Sequence, residues 1–258
     1  MVKVIMLAFL QGLTEFLPVS SSGHLAFFNH FFPPTRDDFF LTVFLHGGTL
    51  LATLVFFQKE ILKLVRGLLA PERDGASRGY LSAIAVGTLP VVLFGLSLEK
   101  WAEKIFNSFS FLTITFLFTG LILALASLKK ELNFSASLNL PRALGIGVAQ
   151  LFAVLPGISR SGSTISVAII SGLSPQEAFR FSFLLSVPAL LAAFLVEFYR
   201  IWKLGIAVPG SLLALGFSVS FLSGLFSLFL FQKVVASGSL IGFSGYLLVL
   251  GLLLLFLF

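Results

Sequence analysis

The sequence predicts an all-α, polytopic membrane protein built from two inverted repeats, each a re-entrant broken helix followed by three transmembrane helices. Three observations carry this. Of the 258 residues, 57% are hydrophobic and 11% charged, against about 25% charged in an ordinary soluble domain, and the mean hydropathy is +1.05. Six segments are apolar over the roughly 20 residues that a crossing helix needs. The chain is also self-similar: an offset of 139 lays Gln11 on Gln150, Ser20 on Ser159, Ser22 on Ser161 and Gly23 on Gly162. An offset of 140 does the same for Leu50, Leu51 and Ala52 on Leu190, Leu191 and Ala192.

Taken in order, the first element is an apolar region over 4–32 interrupted at 15–24 by Pro, Ser and Gly. Each apolar half is too short to cross alone, so the region reads as a broken helix. Spans are expected over 39–57, 80–98 and 109–128, which completes a first repeat of about 1–128. A second broken region, 143–173, is interrupted at 156–163, and spans over 181–198, 209–231 and 239–258 complete a second repeat of about 143–258. The whole of 1–258 is then one integral membrane domain. Irregular backbone at membrane depth is tolerated only where protein buries it or water reaches it. Both interruptions are therefore expected to line one cavity near the midplane. Broken segments that enter and leave on one side give three crossings per half and inverted repeats, whereas spanning ones give four and a parallel repeat. The short apolar halves flanking proline favour the inverted form.

Loop 58–79 carries five Lys and Arg, loop 99–108 two and loop 129–142 three. The first and third are therefore expected to be cytoplasmic, with the first broken segment ending outside. The net charge of +6 belongs to such loops, so nucleic-acid binding is a poor reading. Zero cysteines exclude disulfides, thiolate metal sites and a cysteine nucleophile. No cleavage site precedes residues 18–24, so insertion is expected to use an uncleaved first segment.

An ionisable side chain inside the membrane costs on the order of 2.5–3.5 kcal/mol on insertion scales and needs a reason. Away from loops and helix ends the candidates are Glu15, His24, His46 and Arg160. Gln11 and Glu15 lie four apart on one helix face, and their oxygens suit Mg²⁺ or Ca²⁺. The plainer reading makes Glu15 a solvated helix end and Gln11 an interhelical hydrogen bond. Ser20, Ser21, Ser22, Gly23 and His24 follow Pro18 where a second half-helix begins, and such a start is an anion site through its orphan amides and dipole. A simple serine N-cap is the alternative. Ser21 with His24 one turn on is a nucleophile and acid/base pair. The second interruption adds Arg160 among Ser159, Ser161, Gly162, Ser163 and Thr164, a bidentate phosphate clamp or an ion-pair partner for Glu15. His46, followed by Gly47 and Gly48, reads as a packed histidine in a close helix crossing, and His30 and Arg36 as residues of the outer interface. The combination suggests phosphoryl chemistry on a lipid.

At these residues the sequence resembles the undecaprenyl pyrophosphate phosphatase, or bacitracin-resistance, family. One signature stands as Gln11, Glu15, Phe16, Leu17, Pro18, Val19, Ser20, Ser21, Gly23 and His24, and the other as Pro156, Gly157, Ser159, Arg160, Ser161, Gly162 and Thr164. The resemblance implies hydrolysis of undecaprenyl pyrophosphate to undecaprenyl phosphate and inorganic phosphate, which recycles the lipid carrier of peptidoglycan synthesis and confers bacitracin resistance. It further implies a bacterial cytoplasmic (inner) membrane location with the site facing the outer, periplasmic side, membrane lipids as partners and room for a homodimer. By motif position Ser21 is the nucleophile, His24 the acid/base, Glu15 the metal-binding or nucleophile-positioning carboxylate and Arg160 the phosphate clamp. Ser20, Ser22, Gly23, Ser159, Ser161, Gly162 and Thr164 would support the phosphates. A divalent cation, Mg²⁺ or Ca²⁺, would bridge Glu15 and the pyrophosphate. Where relatives often carry a first Glu, this chain has Gln11, a weaker cation ligand. Attack by water activated by His24 and Glu15 stays open beside attack by Ser21. A lipid-phosphate carrier, or flippase, is the main rival because paired broken helices in inverted repeats are also a transporter architecture.

Overall fold

The computed structural model describes residues 1–32, 36–69, 75–105, 109–129, 134, 136–204 and 209–257. Within them the chain is helical, with no strand. In order the helices are α1 (Val2–Phe16), α2 (Ser21–Phe31), α3 (Arg36–Phe56), α4 (Gln58–Leu69), α5 (Gly75–Ile105), α6 (Phe109–Leu128), α7 (Leu140–Phe152), α8 (Arg160–Ile170), α9 (Pro175–Leu204), α10 (Gly210–Ala236) and α11 (Ile241–Leu257). The protein is a multi-pass membrane protein. Stretches of α5, α6, α9 and α10 are long and apolar enough to cross, and α3 forms a fifth candidate together with α4, bent from it by 72°. The sixth expected span, 239–258, is α11, whose 17 residues rise roughly 25 Å and sit at the short end of the crossing range.

Two expectations are corrected. The segment 58–79 is not all loop: α4 occupies 58–69. Its Ile61, Leu64 and Gly67 turn inward while Lys59, Lys63 and Arg66 stay exposed, an amphipathic stripe too narrow for a span to be read from it. Likewise the proposed loop 99–108 is helix as far as Ile105, because the charges of Lys100, Glu103 and Lys104 interrupt hydropathy without interrupting helix propensity. Residues Pro71, Arg73 and Lys130 lie outside the described residues, as does the side chain of Arg36.

Both broken regions are helix pairs, and each pair begins and ends at one end of the molecule. Arg142, at the start of α7, donates from Nε to the Ser171 carbonyl just past α8 at 3.1 Å, and Lys129, past the end of α6, donates to the Ile170 carbonyl at 3.1 Å. These cations meet the carbonyl end of α8, where the helix dipole favours positive charge. At the opposite end Leu25 and Phe28 of α2 pack with Val4 and Leu7 of α1 and with Leu41 and Leu213 near the starts of α3 and α10. His30 stacks edge-on against Phe109 at 4.7 Å.

Small residues bring the broken pairs close to long helices. Gly12 of α1 lies against Ser220, Ser223 and Gly224 of α10, while Gly147 of α7 lies directly on the backbone of Gly87 in α5. In lipid such close approach substitutes for hydrophobic driving force. A Cβ at position 147 would overlap the Gly87 carbonyl, so Gly147→Ala is expected to destabilise the protein by about 1–3 kcal/mol. The check is thermal unfolding in detergent beside Gly145→Ala, which meets open space; equal melting temperatures would contradict this packing. Beneath the breaks sits an aromatic core in which Phe183 touches Phe16 at 5.8 Å, Phe57 at 5.9 Å and Phe179 at 4.7 Å. Phe16, Phe183 and Phe231 are fully buried.

Candidate active site

The first break is a consequence of Pro18. Proline disfavours helical backbone in the residue before it, and Leu17 is extended at φ −62°, ψ 145°. The chain turns through Val19 and re-enters helix at Ser21. Ser20, the cap, has φ 69°, the only positive φ outside glycine among the described residues. Strained backbone of this kind persists where its surroundings over-determine it, and Ser20 is held on three sides. Its Oγ accepts from the Gly23 amide at 3.2 Å, its carbonyl accepts from the His24 amide at 3.2 Å, and it accepts again from the His24 ring at 2.8 Å. The second break repeats the device. Gly157 sits at φ +87° with Thr115 where a Cβ would stand, and Ser159 caps α8 by accepting from the Gly162 amide at 3.1 Å.

The two breaks are stitched to one another. The Gly157 amide donates to Ser22 Oγ at 3.3 Å, and Ser161 Oγ donates to the Leu17 carbonyl at 3.3 Å. Thr119 of α6 anchors the second break by accepting from the Ser159 amide at 3.3 Å. The N-termini of two half-helices thereby converge on one point, and their orphan amides make it favourable for anions.

At that point Glu15 is the hub. Its Oε1 accepts from Arg160 at 3.0 Å, and its Oε2 accepts from Ser21 Oγ at 2.7 Å and from Gln11 Nε2 at 2.9 Å. Side-chain exposure is 7% for Glu15 and 15% for Arg160. A buried carboxylate needs such compensation. The Ser21 hydroxyl thus points its proton at a carboxylate, the geometry in which a base activates a nucleophile.

His24, one turn beyond Ser21, hydrogen-bonds elsewhere. Its Nδ1 faces the Ser20 carbonyl at 2.8 Å, and its Nε2 faces the hydroxyl of Tyr246 in α11 at 2.6 Å. The neighbouring base on the serine is therefore Glu15, not His24. Thr164 is fully buried and donates to the Arg160 carbonyl at 2.7 Å while pairing with Ser182, so it buttresses the start of α8. Ser159 and Ser161 share a hydrogen bond at 3.3 Å, as do Ser20 and Ser22, and of these four only Ser22 is exposed. Gly23 lies against the Phe116 ring, and Gly162 against Ser159 and Pro18. His46 is a packed histidine as expected, bonded to the Thr42 carbonyl at 2.8 Å beside a close crossing of Gly47 and Gly48 against α10.

Sequence reading missed Tyr246 and Thr119. Tyr246 had a signal: it is one of three tyrosines beside 32 phenylalanines, and a hydroxyl retained in the apolar run of α11 asks for a partner. Thr119 had none, since threonines in apolar helices commonly bond their own backbone. His24 and Tyr246 also line a mainly apolar cavity of about 610 Å³ whose walls include Leu13, Leu17, Val234 and Phe243.

The Bacitracin resistance protein BacA family matches residues 4–253, a stretch that holds both breaks and the whole Glu15 hub. The chain belongs to this family. It is 38% identical to the undecaprenyl-diphosphatase of Syntrophotalea carbinolica over 250 residues, covering 96% of this chain and 95% of the relative. It is 36% identical to that of Methanococcus maripaludis over 243 residues, 94% of each chain. With the protein of the same name from Carboxydothermus hydrogenoformans it shares 38% over 261 residues, 98% of this chain and 95% of the relative. Family membership agrees with the resemblance drawn from the two motifs, which the structure brings within hydrogen-bonding distance of each other.

Proposed function

We propose that this protein hydrolyses undecaprenyl pyrophosphate to undecaprenyl phosphate and inorganic phosphate. The observation that carries the reading is the Arg160–Glu15–Ser21 chain, joined at 3.0 and 2.7 Å across 145 residues of sequence at the meeting of two half-helix N-termini. Arg160 and the free amides hold the terminal phosphate. Ser21 Oγ attacks its phosphorus in line as Glu15 takes the hydroxyl proton; the Oγ–P bond forms, the bridging P–O bond breaks, and undecaprenyl phosphate leaves. Water then attacks the phosphoserine, the Oγ–P bond breaks, phosphate leaves and Ser21 recovers its proton from Glu15. The names of the relatives support this reaction, and they lend the carrier alternative no support.

One observation supports a divalent cation as part of this reading. Gln11 is fully buried and its Oε1 has no partner, one turn from Glu15 on the same face. Gln11 Oε1 and Glu15 would hold Mg²⁺ or Ca²⁺ together with substrate oxygens, an arrangement usual for Mg²⁺. When bound it would neutralise charge developing on the phosphates.

The two halves act as inverted repeats. In support, α1 and α2 meet at the end where α3 and α10 begin, whereas α7 and α8 meet at the end holding Lys129 and Arg142. The cation-rich end faces the cytoplasm, so the protein sits in the cytoplasmic membrane with its site facing outward, where it recycles the carrier of peptidoglycan synthesis and confers bacitracin resistance. The direct test is phosphate release from undecaprenyl pyrophosphate by protein purified in detergent with Mg²⁺ or Ca²⁺. Wild type is expected to release phosphate, with Ser21→Ala slower by about 10³-fold or more and a phosphoserine trapped at position 21 in acid-quenched samples. Folded wild-type protein that releases none with either cation would overturn the reading, and Ser21→Ala at wild-type rate would move the attack to water.

A further inference from the structure

We propose that Tyr246 is a positioning residue of this site, holding His24 in one plane and one tautomer and carrying the proton that His24 exchanges with the reacting water. The inference rests on the diphosphatase reading and adds to it the only side chain of α11 bonded to the site's histidine among the described residues.

The tautomer follows from the partners. A carbonyl only accepts, so the 2.8 Å contact between His24 Nδ1 and the Ser20 carbonyl requires the proton on Nδ1. In a neutral ring Nε2 is then an acceptor, and Tyr246 must be the donor across their 2.6 Å contact. The rings of His24 and Tyr246 lie nearly parallel, 5.8 Å apart at 13°, and the Phe116 ring lies 5.7 Å from the imidazole. Two hydrogen bonds, with the Phe116 ring alongside, hold the plane of the imidazole, the function that a carboxylate serves when it orients a catalytic histidine.

Both ring nitrogens are therefore engaged, and a substrate proton reaches Nε2 only through the phenol. The phenolic oxygen keeps free lone pairs, and His24 and Tyr246 both line the cavity of about 610 Å³ beside the site. In the hydrolytic step the attacking water gives one proton to the Tyr246 oxygen as the Tyr246 proton passes to Nε2. One O–H bond of water breaks and its oxygen bonds phosphorus as the Ser21 Oγ–P bond breaks; the Ser21 oxygen takes back the proton held by Glu15, the phenol is regenerated and the charge rests on the imidazolium.

The test measures kcat and KM for phosphate release by wild type, Tyr246→Phe, His24→Ala and the double variant. Tyr246→Phe keeps the ring and loses the hydroxyl; kcat is expected to fall about 10–100-fold with KM within about twofold. The double variant should be no slower than His24→Ala, because the hydroxyl acts only through the ring. Tyr246→Phe at the wild-type kcat, or losses that multiply in the double variant, would overturn the proposal. Independently, the ¹⁵N resonances of labelled His24 should show an acceptor Nε2 whose shift moves in Tyr246→Phe; an unmoved shift would overturn the positioning role. If wild type releases no phosphate, the diphosphatase reading and the proton-carrying role fall together, and the ¹⁵N result alone decides the positioning role.

Discussion

Replacing Glu15 with Gln is expected to lower kcat for phosphate release by about 10²–10⁴-fold, the range usual for a lost general base, with the protein still folded. Glu15 is the acceptor for three donors at once: Arg160 at 3.0 Å, Ser21 at 2.7 Å and Gln11 at 2.9 Å. The amide of Gln has nearly the same shape but one oxygen, so one of the three donors must face an NH₂ group. Neither arrangement lets the side chain take a proton from Ser21. A Glu15→Asp control keeps the charge but shortens the reach by one methylene, and it should recover part of the rate. The measurement is single-turnover phosphate release on detergent-purified protein; a Glu15→Gln rate within tenfold of wild type would place the base elsewhere.

Arg160→Ala is expected to cost both activity and stability. An arginine that stabilises transferring phosphoryl charge contributes roughly 10³–10⁵ in kcat, and here the same guanidinium compensates a carboxylate only 7% exposed. Removing one partner of a buried pair costs about 3–5 kcal/mol, whereas removing both costs far less. The two effects therefore separate. Arg160→Ala should melt well below wild type in detergent, and Arg160→Ala with Glu15→Gln should recover most of the melting temperature and none of the activity. A single variant as stable as wild type would mean that water already compensates the carboxylate. Arg160→Lys should keep much of the stability and lose rate, because an ammonium cannot present two parallel donors to a phosphate.

Much of the fold was legible because lipid is a severe solvent. The residues that cross were readable from hydropathy, and the breaks were readable because Pro18, and Pro156 with Gly157, interrupt a helix while the serines beside them cannot be left bare in hydrocarbon. Helix ends were not legible. Lys100 and Lys104 lie on helix beyond the apolar run, and α4 hides in a charged segment, because charge stops a span without stopping a helix. Of the site, the candidate residues were visible from their residue types, as was the convergence of the breaks from the repeat. Their pairing was not: Ser21 was matched with His24 through local spacing, yet its hydroxyl meets Glu15.

Sequence alone determined that this protein lives in a membrane, that its polar residues gather at two interruptions, and that those residues suit phosphoryl transfer. These are consequences of composition and local backbone chemistry, which each segment carries with it. Only the tertiary structure decided which donor meets which acceptor. The turn of the chain at Ser20, the placement of the start of α8 that sets Arg160 against Glu15, and the arrival of Tyr246 from α11 at His24 each depend on helices far apart in sequence packing within a few ångströms. A hydrogen bond is made or lost over less than one ångström, a distance that no residue spacing along a single helix can fix for a partner on another.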